Sequence, residues 1–211
     1  MAKTSGSVRK RFLNDYKNVS AGARVDKKFE RSVPISAIKN PKLREEIQQG
    51  ISKFESRLGI GTKNIRMGAT GDAVGVHYTV NGQSYGILLN KQIFLKGTVE
   101  SINKQKQKAY DTGFLTPTNK RVQHTIIHEL SHSVWNRHLT TKNALKAKPE
   151  INKLWNEFQK TRPKGYGTYA YANISEMVAE MLTKHTIGTS DKYTKKLYSI
   201  LRKNKLVNTK K

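Results

Sequence analysis

After Pro41, apolar residues fall at Leu43, Ile47, Ile51, Phe54 and Leu58, three or four apart, and the run stops at Gly59. That spacing lines one face of a helix, and a glycine just past the last turn ends it in the left-handed conformation. From Ile65 to about Leu95 the pattern changes to short stretches of Val, Tyr and Ile punctuated by glycines. Asn81-Gly82, between the runs 76–80 and 85–89, has the composition of a tight hairpin turn, so a small, mainly antiparallel sheet is expected with the preceding helix packed on it. Lys96 to Lys120 is polar, carries Lys104, Lys106 and Lys108, and reads as an exposed connection bordering a cleft. Helical periodicity then returns around Arg121–Arg137, Pro149–Lys160, Ile174–Lys184 and Lys192–Lys203, with a glycine-tyrosine loop over residues 164–169.

Strands first and helices after predict an α+β fold: a small sheet with a backing helix, followed by a helical lobe. The 211 residues suit one domain, placed at 36–211. Residues 1 to 35 carry Lys3, Arg9, Lys10, Arg11, Lys17, Arg24, Lys27, Lys28 and Arg31 among Ser, Gly and Asn, and are expected to form a flexible basic arm.

The absence of cysteine removes disulfides, thiolate metal sites and cysteine nucleophiles together, so any metal site must use histidine and carboxylate. Forty Lys and Arg against 15 Asp and Glu give a formal charge of +25, which attracts polyanions and makes nucleic acid a candidate partner. The basic, polar N-terminus carries no apolar stretch of the secretory kind, and no later run approaches membrane-spanning length. A cytoplasmic or virion-internal location without membrane contact is therefore expected.

His128-Glu129-Leu130-Ser131-His132 matches the pattern HExxH. On a helix the two histidines lie about 40° apart around the axis, so both imidazoles reach one ion, and the adjacent carboxylate of Glu129 can serve a zinc-activated water as general base. Val122, Ile126, Ile127, Leu130 and Val134 make this helix mostly apolar, a setting in which Glu129 needs a reason to be there.

A hydrolytic zinc site takes three protein ligands and leaves the fourth position open. His138 stands six residues after His132, the spacing of the metzincin motif HExxHxxGxxH, but Trp135 occupies the position of the glycine that turns that chain back. If the helix runs on, His138 lies about 9 Å further along the axis, out of reach of a bond of about 2.1 Å. In Asn173-Ile174-Ser175-Glu176-Met177-Val178-Ala179-Glu180, two glutamates one helical turn apart interrupt an apolar stripe, and inward carboxylates need a partner such as a metal or a histidine. Glu176 is assigned as the third ligand, with Glu180 its alternative.

HExxH followed by Tyr-x6-Glu-x3-Glu, here Tyr169 through Glu180, resembles the catalytic domain of anthrax lethal factor and related gluzincins. The resemblance covers roughly residues 121 to 187, and more loosely Gly86-Ile87-Leu88-Leu89-Asn90, which resembles the edge strand of a zincin cleft. It implies a zincin-like fold and a zinc metallopeptidase holding one Zn2+ per chain. Glu176 would be the third ligand, Glu180 the support of a zinc-bound histidine, and Tyr169 the oxyanion donor, with Tyr166 and Tyr171 as rivals. The expected activity is endopeptidase cleavage of a protein or peptide laid along the strand near Tyr85 to Asn90. Phage proteins carry similar zincin domains, and that likeness together with the charge gives an alternative. In it the chain is a polyanion-binding or structural, virion-associated protein that keeps the fold with little turnover.

Overall fold

The computed structural model describes residues 31–62, 64–80, 83–136 and 141–207. Asn81-Gly82, His138 and residues 1–30, which include most of the expected basic arm, lie outside the described residues.

Helix α1 (Pro41–Leu58) forms as its spacing predicts. Asn40 caps it by accepting the Leu43 N–H at 2.9 Å, proline occupies its first turn, and Gly59 ends it at φ 63°. Its buried face carries Leu43, Ile47, Phe54 and Leu58, with Gly50 between them. At Gly50 the backbone of helix α4 (Arg121–Asn136) comes so close that a Cβ would stand 3.4 Å from Gln123 Cα.

Four strands, β1 (Val33–Pro34), β2 (Ile65–Gly68), β3 (Gly75–Val80) and β4 (Gln83–Asn90), make one sheet in the order β1-β2-β4-β3. The sheet is mixed: β1–β2 and β3–β4 are antiparallel, whereas β2 and β4 run parallel from Ile65 opposite Ile87 to Gly68 opposite Asn90. This corrects the expected edge strand. Residues 85–90 belong to β4, which is hydrogen-bonded on both sides; the edges are β1 and β3, and β3 is the one against helix α4. The hairpin signal marks only the contact of β3 with β4; it carries no trace of β4 returning inside β3 to pair with β2. Ile87 and Leu89 enter the main core, while Leu88 and Tyr78 form a smaller cluster on the other face of the sheet.

A short α2 (Lys91–Phe94) follows β4, and the segment 96–120, read as an exposed connection, instead contains a helix, α3 (Val99–Asp111). Only Ile102 of α3 is fully buried, which is why apolar periodicity missed it. Its start is marked by a reciprocal box in which Ser101 N–H donates to Thr98 Oγ1 and Thr98 N–H to Ser101 Oγ. Helix α5 (Lys142–Thr161) begins earlier than the expected Pro149, which lies within it, capped instead by Thr141. Helices α6 (Ile174–Ile187) and α7 (Lys192–Lys203) follow a single 3-10 turn at Thr168–Tyr171. Among the described residues no helix is long and apolar enough to cross a membrane.

Helix α4 is the axle of the fold, packed by α1, α3, α6 and the β3–β4 hairpin strands. Phe54 is fully buried in that core. Phe54→Ala is expected to destabilise the chain by about 3 to 5 kcal/mol, read as a lowered denaturant midpoint at unchanged slope.

Candidate metal centre

His128 and His132 stand one turn apart on α4, and Glu176 enters from the first turn of α6, where Asn173 accepts the Glu176 N–H at 3.0 Å and fixes the start of the helix. The three side chains are buried, at 7%, 3% and 1% exposure. Their facing atoms form a nearly equilateral triangle: His128 Nε2 to His132 Nε2 is 3.2 Å, His128 Nε2 to Glu176 Oε2 is 3.1 Å and His132 Nε2 to Glu176 Oε2 is 3.4 Å. Tetrahedral bonds of about 2.0 to 2.1 Å separate neighbouring ligand atoms by about 3.3 to 3.4 Å, so the triangle fits a small tetrahedral cation. Although two imidazole nitrogens lie so near it, Glu176 Oε2 has no hydrogen-bond partner. A buried carboxylate oxygen left without a hydrogen bond costs folding free energy unless a cation sits there. The group could hold a metal ion.

The far nitrogens of the two rings are also placed. His132 Nδ1 is 3.0 Å from Ser175 Oγ, and His128 Nδ1 is 3.0 Å from Glu180 Oε1, the latter bent away from a straight hydrogen bond. Each ring thereby turns Nε2 toward the triangle, as metal-bound imidazoles are held by an outer partner. Burial alone would raise the pKa of Glu176 and Glu180, but the imidazoles beside them hold both well below the usual carboxylate range. Burial also works against a charge on His128; there the two glutamates outweigh it and raise the pKa well above that of a free imidazole.

Glu129 is half-buried, and β3 runs past it. A Cβ at Gly75 would lie 2.9 Å from Glu129 Cγ, so the missing side chain at 75 leaves the space this carboxylate occupies. Two residues on, the His77 ring is 6.3 Å from that of His132; burial and this neighbour push its pKa down to about 3.

The tyrosine loop is sewn to residues 113–116. Gly167 N–H donates to Thr116 Oγ1 at 3.1 Å, Thr168 N–H to the Gly113 carbonyl at 2.8 Å and Tyr169 N–H to the Phe114 carbonyl at 3.0 Å. A Cβ on Gly167 would come within 2.3 Å of the Leu115 backbone, so only glycine permits this approach. The three tyrosines are thereby told apart. Tyr166 donates to Asp191 at 3.0 Å and Tyr171 to the Pro163 carbonyl at 2.9 Å, both packed on Phe158, whereas the Tyr169 ring lies over His128 at 5.8 Å.

Helix α4 continues without a break through Trp135 to Asn136, so the turn that a third histidine at His138 would need is not made there. Three residues at the site escaped the reading of the sequence. Ser175 lies hidden in the Asn173 cap, and His124, one turn before His128, repeats the spacing of the other two histidines. Lys106 of α3 donates to Thr125 Oγ1, one turn before Glu129. Burial lowers its pKa to about 8 despite the charges of Glu129 and Glu180.

One divalent ion per chain is the expected stoichiometry, with zinc as the titrant. Glu176→Gln should weaken binding severely and Glu180→Gln by about 10- to 100-fold, while His138→Ala should bind as the parent does. Because the metal must displace the proton that Glu176 and Glu180 hold on His128, affinity should fall as pH is lowered, by about tenfold per unit for one proton displaced. Competition titrations with a chromophoric chelator at several pH values check all of these. A metal-free Glu176→Gln with undiminished affinity would remove Glu176 from the site.

No known protein family, curated protein or solved structure matches this chain. Its function therefore has to be argued from the site.

Proposed function

We propose that the chain is a zinc-dependent endopeptidase. The observation that carries this reading is the convergence of two histidine nitrogens and one carboxylate oxygen on a single point, with the Glu129 carboxylate on the next residue of the same helix. Two imidazoles and a carboxylate, with no thiolate, are the ligand set of hydrolytic zinc.

A zinc ion held there supplies Lewis acidity, polarising a carbonyl and making water a stronger nucleophile at neutral pH. Glu129 takes a proton from the attacking water and passes it to the leaving amine, a role that suits the one carboxylate of the site that is only half-buried. Tyr169, stacked on His128, is the donor to the oxyanion that forms on the former carbonyl oxygen. Strand β3, paired on one side only among the described residues, takes the extended substrate as an added strand beside Glu129 and His132. Substrate binding thus moves from residues 85–90, where the sequence suggested it, to 75–80.

Glu129→Gln keeps the shape of the side chain and removes its basicity. It is expected to retain zinc and thermal stability and to lose peptide hydrolysis by about 10²- to 10⁴-fold. Peptide-library cleavage with and without chelator measures this, and undiminished turnover in the variant would exclude Glu129 from the chemistry.

A second reading, polyanion binding, is favoured by one observation. Helices α5 and α7 pack together and carry Lys142, Lys146, Lys148, Lys153, Lys160, Lys192, Lys195, Lys196, Arg202 and Lys203 exposed, against only Glu150 and Glu157. Both glutamates are taken up internally, Glu150 by Lys203 at 3.2 Å and Glu157 by Lys196 at 2.5 Å. Such a face recognises phosphate backbones without sequence preference. Binding to duplex DNA is expected to be independent of sequence and to fall steeply between low and high salt, in a gel-shift or anisotropy titration; equal affinity at both would rule out an electrostatic cause.

A further inference from the structure

His124 lies on α4 one turn before His128, at 2% exposure, and takes no part in the triangle of candidate ligands. Its Nε2 is 3.3 Å from Glu180 Oε2, while the other oxygen of the same carboxylate is 3.0 Å from His128 Nδ1. Glu180 therefore bridges two histidines of one helix. Its side chain is fully buried, so no water shares the load of its charge.

The chemistry fixes the roles. A carboxylate only accepts hydrogen bonds, so the proton in the contact belongs to His124 Nε2. That ring is held from both sides, stacked on His128 with centroids 6.1 Å apart and met edge-on by Tyr110 at 6.2 Å. On the other arm, the contact to His128 Nδ1 is bent. A carboxylate held only by that bent contact is free to rotate about its last bonds; the donor on its second oxygen removes this freedom.

We propose that His124 is a positioning residue of the metal centre, anchoring Glu180 so that Glu180 in turn orients His128. The proposal rests on the metal-binding reading of the site. It extends the outer support of the ligands by one more residue, supplied by the ligand helix itself. Among the described residues α4 thus carries a run of three histidines at successive turns, two whose Nε2 atoms enter the triangle and one that reaches their support.

The test is zinc affinity, measured by chelator competition on the full chain, together with thermal stability of the metal-free protein. His124→Phe keeps the ring and removes the donor; His124→Asn keeps polarity but is too short to reach Glu180; His124→Gln restores an N–H near the place of Nε2. Phe and Asn are expected to weaken zinc binding about 10- to 100-fold, and Gln to recover most of it. In a Glu180→Gln background, His124→Phe should add little further loss, because both changes act through the same contact. A purely structural histidine would instead lower metal-free stability, show no rescue by Gln and give additive losses. Any of those results, or parental affinity in His124→Phe, overturns the proposal, and if that variant does not fold, His124→Asn carries the same comparison. Absence of zinc binding by the unaltered chain would overturn it by a different route, through failure of the metal reading itself.

Discussion

Two carboxylates, Glu176 and Glu180, are buried at the seam where α6 meets α4, opposite His124, His128 and His132. Taking ionised groups out of water costs several kcal/mol each unless other groups replace the lost hydration, and a whole domain is stable by only about 5 to 15 kcal/mol. The seam is tolerable because the two Glu180 oxygens face His124 and His128, and because Glu176 Oε2, beside His128 and His132 yet without a hydrogen-bond partner, is placed where a cation could sit. The surrounding architecture holds this seam shut. Helix α1 backs α4 through the close approach at Gly50, α7 packs behind α6, and the stitched loop at 167–169 closes one end over His128.

That arrangement links stability to function. A metal that binds the folded triangle and not the unfolded chain adds its binding free energy to folding. The cluster most costly to bury is therefore also the one a bound metal would stabilise. Glu129 differs from its neighbours in being only half-buried and in facing the edge of the sheet rather than α6. The same helix thus presents candidate metal ligands to its buried side and the Glu129 carboxylate to its open side, and Lys106, hydrogen-bonded one turn before Glu129, brings a cation near that carboxylate. The exposed cations of α5 and α7 lie on other helices, so the charge on the outside and the candidate metal site on the inside are carried by different elements.

Sequence alone determined the parts that depend on short spacing. The bounds of α1 followed from apolar periodicity between Pro41 and a glycine, α7 was placed near Lys192–Lys203, and the HExxH helix and the Glu176–Glu180 turn followed from residues one turn apart. Lack of cysteine by itself limited any metal site to histidine and carboxylate. Helix α3 escaped because polar residues fill its surface and only Ile102 is fully buried, leaving the Thr98–Ser101 box as its clearest local mark. Pro149 misled because proline favours helix starts, whereas here the helix runs through it.

What the tertiary structure decided is everything that needs two distant segments at once. The parallel pairing of β2 with β4 leaves β3 at an edge and moves the proposed substrate strand away from residues 85–90. The placing of the Tyr169 ring over His128, with Tyr166 and Tyr171 packed on Phe158 instead, goes with backbone bonds between 113–116 and 167–169 that no pattern within either segment encodes. The separation of Glu176 from Glu180 is of the same kind. Both lie on one face of one helix, and only the angle at which α6 meets α4 directs one carboxylate to the Nε2 atoms and the other to the backs of His128 and His124. Spacing along a helix is local geometry and survives in the sequence, whereas the approach of two helices is the sum of many packing contacts and exists only once the chain has folded.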